Sequence, residues 1–153
     1  MKFFEDIPVG EAAMLGSHVF TAAAIAAFAA RFEPRLLRLD HDAPLPASGW
    51  QVACVWMRRL VDHRRNEDAE RRARGQPVAT LGPSPGFRDL QWPAPVYPGD
   101  TVTYRNEVID KRVSLSRPRW GLLMSRNSGH NQRGELVLSF VSSAFVQRRP
   151  DGA

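Results

Sequence analysis

Residues 50–61 read WQVACVWMRRLV, and no other stretch limits the fold as tightly. Trp50, Ala53, Cys54, Met57, Leu60 and Val61 recur at helical spacing, and Ser48 just before them is a good N-cap. On a helix this run is apolar almost all round, which is how a fully buried helix reads. Such a helix needs cover on every side. In a small chain a sheet curved around it supplies that cover, with a second subunit as the other source. The continuation, DHRRNEDAERRARG, is polar all round and mixes both charge signs, so the helix is expected to leave the core near Asp62.

The remaining pattern says what does the covering. The chain has 153 residues, enough for one domain spanning 1–153 with a core that needs no disulfides. Residues 2–10 read as an extended lead-in, and Ala12 to Phe20 as a first strand. Thr21 caps a helix through AAAIAAFAARF, with Ile25, Phe28 and Phe32 on one face, and Pro34 ends it. Loops follow at 41–47 and 75–86. Then come Phe87 to Trp92, Thr101 to Val113, Trp120 to Asn127 and Glu135 to Arg148 as strands, the last two joined by a turn at Asn131 to Gly134. Helices followed by an antiparallel run give an α+β class, with the sheet packed on the buried helix.

Composition narrows the function. One cysteine, Cys54, rules out a disulfide framework within the chain, and its apolar neighbours read as core. The opening MKFFEDIPVG has no signal-peptide character, and the apolar run 22–30 is too short to span a bilayer, so a cytoplasmic protein with no membrane partner is expected. The net charge of +5 suits an anionic ligand. No nucleic-acid motif accompanies the arginines at 58, 59, 64, 65, 71, 72 and 74, which alternate with acids as a solvated, self-paired helix face does; nucleic acid is not an expected partner. His18, His63 and His130 show no metal-ligand spacing, and no metal is expected.

FFEDIPVGE, the Thr-capped FTAAAIAAFAARFEP, ASGWQVACVWMRRLVD, LGPSPGFRDLQWPAPVYPGDTV and NQRGELVLSF occur in that order across nearly the whole chain. In this the sequence resembles the MaoC-like dehydratases, which include R-specific enoyl-CoA hydratases. The resemblance implies a hot-dog fold, a long helix wrapped by a curved antiparallel sheet, working as a homodimer or a dimer of dimers. It implies an acyl-CoA or other acyl thioester as ligand, in fatty acid metabolism, and no cofactor beyond the CoA of the substrate.

The family's Asp and His, five residues apart in D-x-x-P-x-H, fall at Glu33 and Arg38, with Leu36 at the proline. These two are the candidate catalytic residues. A guanidinium stays protonated and cannot act as a general base, so the pair is altered where proton transfer is needed. Ser48, Gly49 and Trp50, at the start of the buried helix, are the candidate thioester-carbonyl site, since unpaired helix amides favour developing negative charge. His41 could supply an imidazole, and Asp62 the helix carboxylate of a hot-dog thioesterase; a loop role for His41 and a surface role for Asp62 compete with these. A lyase with Glu33 as base, and an acyl-CoA-binding protein without acid–base chemistry, are the two leading functions; a thioesterase is the third.

Overall fold

The computed structural model describes residues 1–38 and 44–150. Met1, Phe3, Phe4 and Ile7 are buried around a 3-10 turn at Phe4–Asp6, so the lead-in is more compact than an extended arm. Strand β1 (Ala12–Val19) leads into helix α1 (Ala22–Phe32) and a 3-10 turn at Leu36–Arg38. Helix α2 (Gly49–Ala73) precedes β2 (Gly86–Gln91), β3 (Thr101–Val113), β4 (Trp120–His130) and β5 (Leu136–Gln147).

The five strands form one antiparallel sheet in the order β1-β3-β4-β5-β2. The 25-residue α2 packs on it, giving the hot-dog fold that the sequence resemblance implied. Val52, Trp56 and Leu60 meet Val102, Tyr104, Leu138 and Phe140, and the rings of Trp56 and Phe140 cross edge to face at 4.6 Å. Inward residues alternate along β4, where Gly121, Leu123, Ser125, Asn127 and Gly129 are all buried.

The buried face of α2 is rotated from the sequence expectation. Gln51, Val52, Trp56 and Leu60 are buried, whereas Trp50, Cys54 and Met57 are exposed. A helix apolar on nearly all sides carries two usable stripes, and periodicity cannot say which one meets the sheet. Cys54 is therefore a surface residue. On α1 the buried pair is Ile25 and Ala29, one turn apart, while Phe28 is half-buried and Phe32 is 63% exposed. An alanine at 29 lets α1 approach closely and pushes the two phenylalanines to the side.

Helix α2 also runs unbroken past Asp62 to Ala73, and His63, Arg64, Glu67 and Asp68 stay half-buried. Beyond its end Gly75 takes φ 67°, and its amide and that of Gln76 donate to Arg72 and Arg71 carbonyls, a left-handed stop that favours glycine. Of the charged run, Arg58–Asp62 and Arg74–Glu70 are paired one turn apart; Arg59, Arg64, Arg65, Arg71 and Arg72 form no ion pair among the described residues.

Just before β3 the PGD turn is tied to the β4–β5 turn. The Asp100 carboxylate accepts from the Tyr97 amide (2.9 Å), Gln132 Nε2 (2.6 Å) and an Arg133 Nη (3.1 Å). Burial pulls this carboxyl upward, but those three hydrogen bonds and the Arg133 charge outweigh it and hold Asp100 below the usual carboxylate range.

Candidate active site

The N-terminus of α2 is built by a short chain of contacts. The Ser48 hydroxyl, almost fully buried, accepts from the Trp50 amide at 3.2 Å, and the Val52 amide donates to the Ser48 carbonyl at 3.1 Å. Among the described residues nothing takes up the amides of Gly49 and Gln51, so donors remain at the positive end of the helix dipole. The Ala47 amide donates to the Val96 carbonyl at 2.8 Å, anchoring the approach to the cap.

Two further side chains hold this end in place. Tyr104, wholly buried on β3, donates its hydroxyl to the Val52 carbonyl at 3.1 Å; burial pushes the phenol far up, with the Arg59 charge opposing, so it stays neutral. Gln51 donates Nε2 to the Ala24 carbonyl at 3.1 Å, linking α2 to α1, while its Oε1 is buried with no partner among the described residues. Sequence reasoning passed over Gln51. The signal was present: it is the one amide in an otherwise apolar run.

Beside the cap lies a groove of about 480 Å³, lined by Phe28, Phe32, Glu33, Arg35, Ser48, Trp50 and Cys54. Helix α1 ends at its border: the Glu33 amide still donates to the Ala29 carbonyl at 2.9 Å, and Pro34 prevents another turn. Glu33 thus comes out of the last turn of α1 against the first turn of α2. The rings of Phe28 and Phe32 lie 4.8 Å apart, and the Trp50 indole crosses Trp92 at 5.2 Å. The walls are mostly apolar, with Arg35 as a cation and Glu33 the only carboxylate among the described lining residues.

Of the residues expected from sequence, Glu33, Ser48 and Trp50 line this one groove. Gly49 lies next to them, under the Trp92 ring. Arg38 does not line it; it is exposed in the turn after α1, makes no ion pair with Glu33, and Arg35 is the arginine at the groove. Asp62 pairs with Arg58 at 3.0 Å, away from the groove. His41 lies outside the described residues.

A groove with one carboxylate, apolar walls and free amides at a helix start can hold an acyl group, polarise its carbonyl and move one proton. Known proteins place the chain. It superposes on the MaoC-like dehydratase from Rhodospirillum rubrum with a TM-score of 0.77 and 31% identity, covering 98% of this chain and 99% of that one. The chain belongs to the MaoC-like dehydratase family. By sequence the chain is also similar to the mesaconyl-CoA hydratase of Cereibacter sphaeroides, 38% identical over 68 residues, 44% of this chain. The matched stretch spans only 20% of that protein's length. A double hot-dog protein of Mycobacterium tuberculosis shares the fold, with a TM-score of 0.75 at 21% identity, over 99% of this chain and 46% of that one. No protein-family model matches the sequence.

Proposed function

We propose that this MaoC-like chain binds an acyl thioester, an enoyl-CoA in the first place, and adds water across its α,β-double bond with Glu33 as the proton-transfer group. The observation that carries the reading is the meeting of Glu33 with the Ser48–Trp50 cap on one apolar groove. The hydratase name of the Cereibacter sphaeroides relative supports an enoyl thioester as the class of substrate.

In this scheme the thioester oxygen lies at the Gly49 amide, where the helix end stabilises the negative charge that develops as water adds. The Glu33 carboxylate takes a proton from the water as its oxygen bonds to the β-carbon. The resulting carboxylic acid then returns that proton to the α-carbon, so one group serves both steps and the proton balance closes. Arg38, exposed in its turn and permanently charged, takes neither role.

Trp50, Met57 and Phe87 are exposed apolar side chains, at 53%, 51% and 58%, on the same flank as the groove. A second copy covering them would complete the cover that the α2 sequence demands, and the working unit in this reading is a homodimer. Its test is the molecular weight in solution, with Met57→Glu expected to yield the monomer.

A non-catalytic acyl-CoA-binding role is the second reading, favoured by the absence of an imidazole among the described residues that line the groove. Purified protein offered crotonyl-CoA and longer trans-2-enoyl-CoAs separates the two. Loss of the conjugated thioester absorbance supports the hydratase; binding without turnover supports the alternative.

A further inference from the structure

The hairpin between β3 and β4 carries a cationic tip, KRVSLSRPR over 111–119, with four cations and no carboxylate. Leu115 at its apex is 99% exposed and Val113 is 45% exposed. The tip is not a frayed loop. The Ser114 amide donates to the Trp120 carbonyl (3.0 Å), the Trp120 amide to the Arg117 carbonyl (2.8 Å), and the Arg117 amide to the Ser114 hydroxyl (3.2 Å). This closed turn holds Leu115 outward beside the exposed Val113.

The charges divide into two groups. Lys111 is turned inward, its Nζ donating to the carbonyls of Phe4, Glu5 and Ile7, and Arg148 and Arg149 pair with Glu5 and Asp6. Arg112, Arg117 and Arg119 are exposed and form no ion pair among the described residues. Arg117 lies over the Phe145 ring at 5.2 Å, which fixes its stem against the tip. The tip therefore carries three exposed guanidiniums without ion-pair partners among the described residues, together with an outward leucine.

We propose that this tip docks on an anionic lipid surface, with Leu115 entering the headgroup boundary and Arg112, Arg117 and Arg119 meeting the lipid phosphates. Two exposed apolar side chains, Leu115 and Val113, flanked by cations need no preformed pocket at a bilayer interface, which deforms around them; a folded protein partner would need a cavity matched to Leu115. The attachment is peripheral, since no helix of the described residues is long and apolar enough to cross a membrane. It departs from the sequence expectation of no membrane partner, which rested on the lack of signal-peptide character and of a run long enough to span. β3 separates the tip from the α2 N-terminus by thirteen residues, roughly 40 Å of strand, so docking leaves the groove open to solution.

Co-sedimentation with phosphatidylcholine vesicles, with and without phosphatidylglycerol, tests the proposal. The full chain is expected to sediment only with the anionic vesicles, and less as salt rises. Leu115→Ser and Arg117→Glu should each weaken binding by about tenfold, with the circular dichroism of the fold unchanged. No sedimentation with anionic vesicles overturns the proposal, as does a Leu115→Ser protein that binds like the parent. A protein that ignores both vesicles but binds poly-L-glutamate through Leu115 overturns it in favour of an acidic protein partner.

Discussion

The Trp92 indole lies flat enough on Gly49 that a Cβ at residue 49 would sit 2.6 Å from its Cδ2. The α2 N-terminus therefore has its particular shape because residue 49 has no side chain. Alanine at this helical position would gain up to about 1 kcal/mol in propensity, but forcing the ring aside costs about 1–3 kcal/mol. Gly49→Ala is expected to lower stability by about 1–2 kcal/mol, and to be neutral or stabilising when Trp92→Ala is already present. Urea unfolding of the double-mutant cycle measures this. Equal effects of Gly49→Ala in both backgrounds would show that the contact does not constrain the cap.

Gln51 offers a second check on the same region. Its Nε2 bond to Ala24 is favourable, but its Oε1 is buried without a partner among the described residues. Gln51→Leu loses one and removes the other, so it should change stability by less than about 1 kcal/mol. Gln51→Glu replaces the donor with a second acceptor against the Ala24 carbonyl and should cost about 3 kcal/mol. Thermal or urea unfolding at neutral pH compares the two; a Leu variant as damaged as the Glu variant would contradict the account.

Asp100 ties the turn before β3 to the β4–β5 turn, and its pH dependence has a definite sign. Its folded pKa lies below the unfolded one, so its stabilisation is fully present above the unfolded value, about 4, and disappears as pH falls through the folded value. Asp100→Asn should therefore cost about 1–3 kcal/mol at pH 7. The gap between the two proteins should narrow when urea midpoints are compared near pH 3. A gap that widens in acid would reverse the sign and refute the assignment.

Strand bounds were legible where polar and apolar residues alternate, as along Thr101 to Val113, and both helix starts were readable because Thr21 and Ser48 cap them through their hydroxyls. The orientation of α2 was not, because a run apolar on two stripes gives no preferred face until the sheet selects one; Cys54 and Met57 were misplaced for that reason. At the site, the family resemblance pointed to Glu33 and the helix cap, and Glu33, Ser48 and Trp50 line one groove. Arg35 could not be found that way, because the 3-10 turn after Pro34 decides which arginine reaches the groove, and spacing along the chain does not encode that turn.

Glu33 is the only carboxylate on the groove among the described residues. The most direct measurement pairs the hydration rate of crotonyl-CoA with the affinity for a saturated acyl-CoA, in the parent and in Glu33→Gln. The account predicts turnover by the parent, a loss of about a hundredfold or more in Glu33→Gln, and acyl-CoA affinity within a few-fold of the parent. A Glu33→Gln protein that hydrates as fast as the parent, or a parent that binds the thioester and never turns it over, would contradict it.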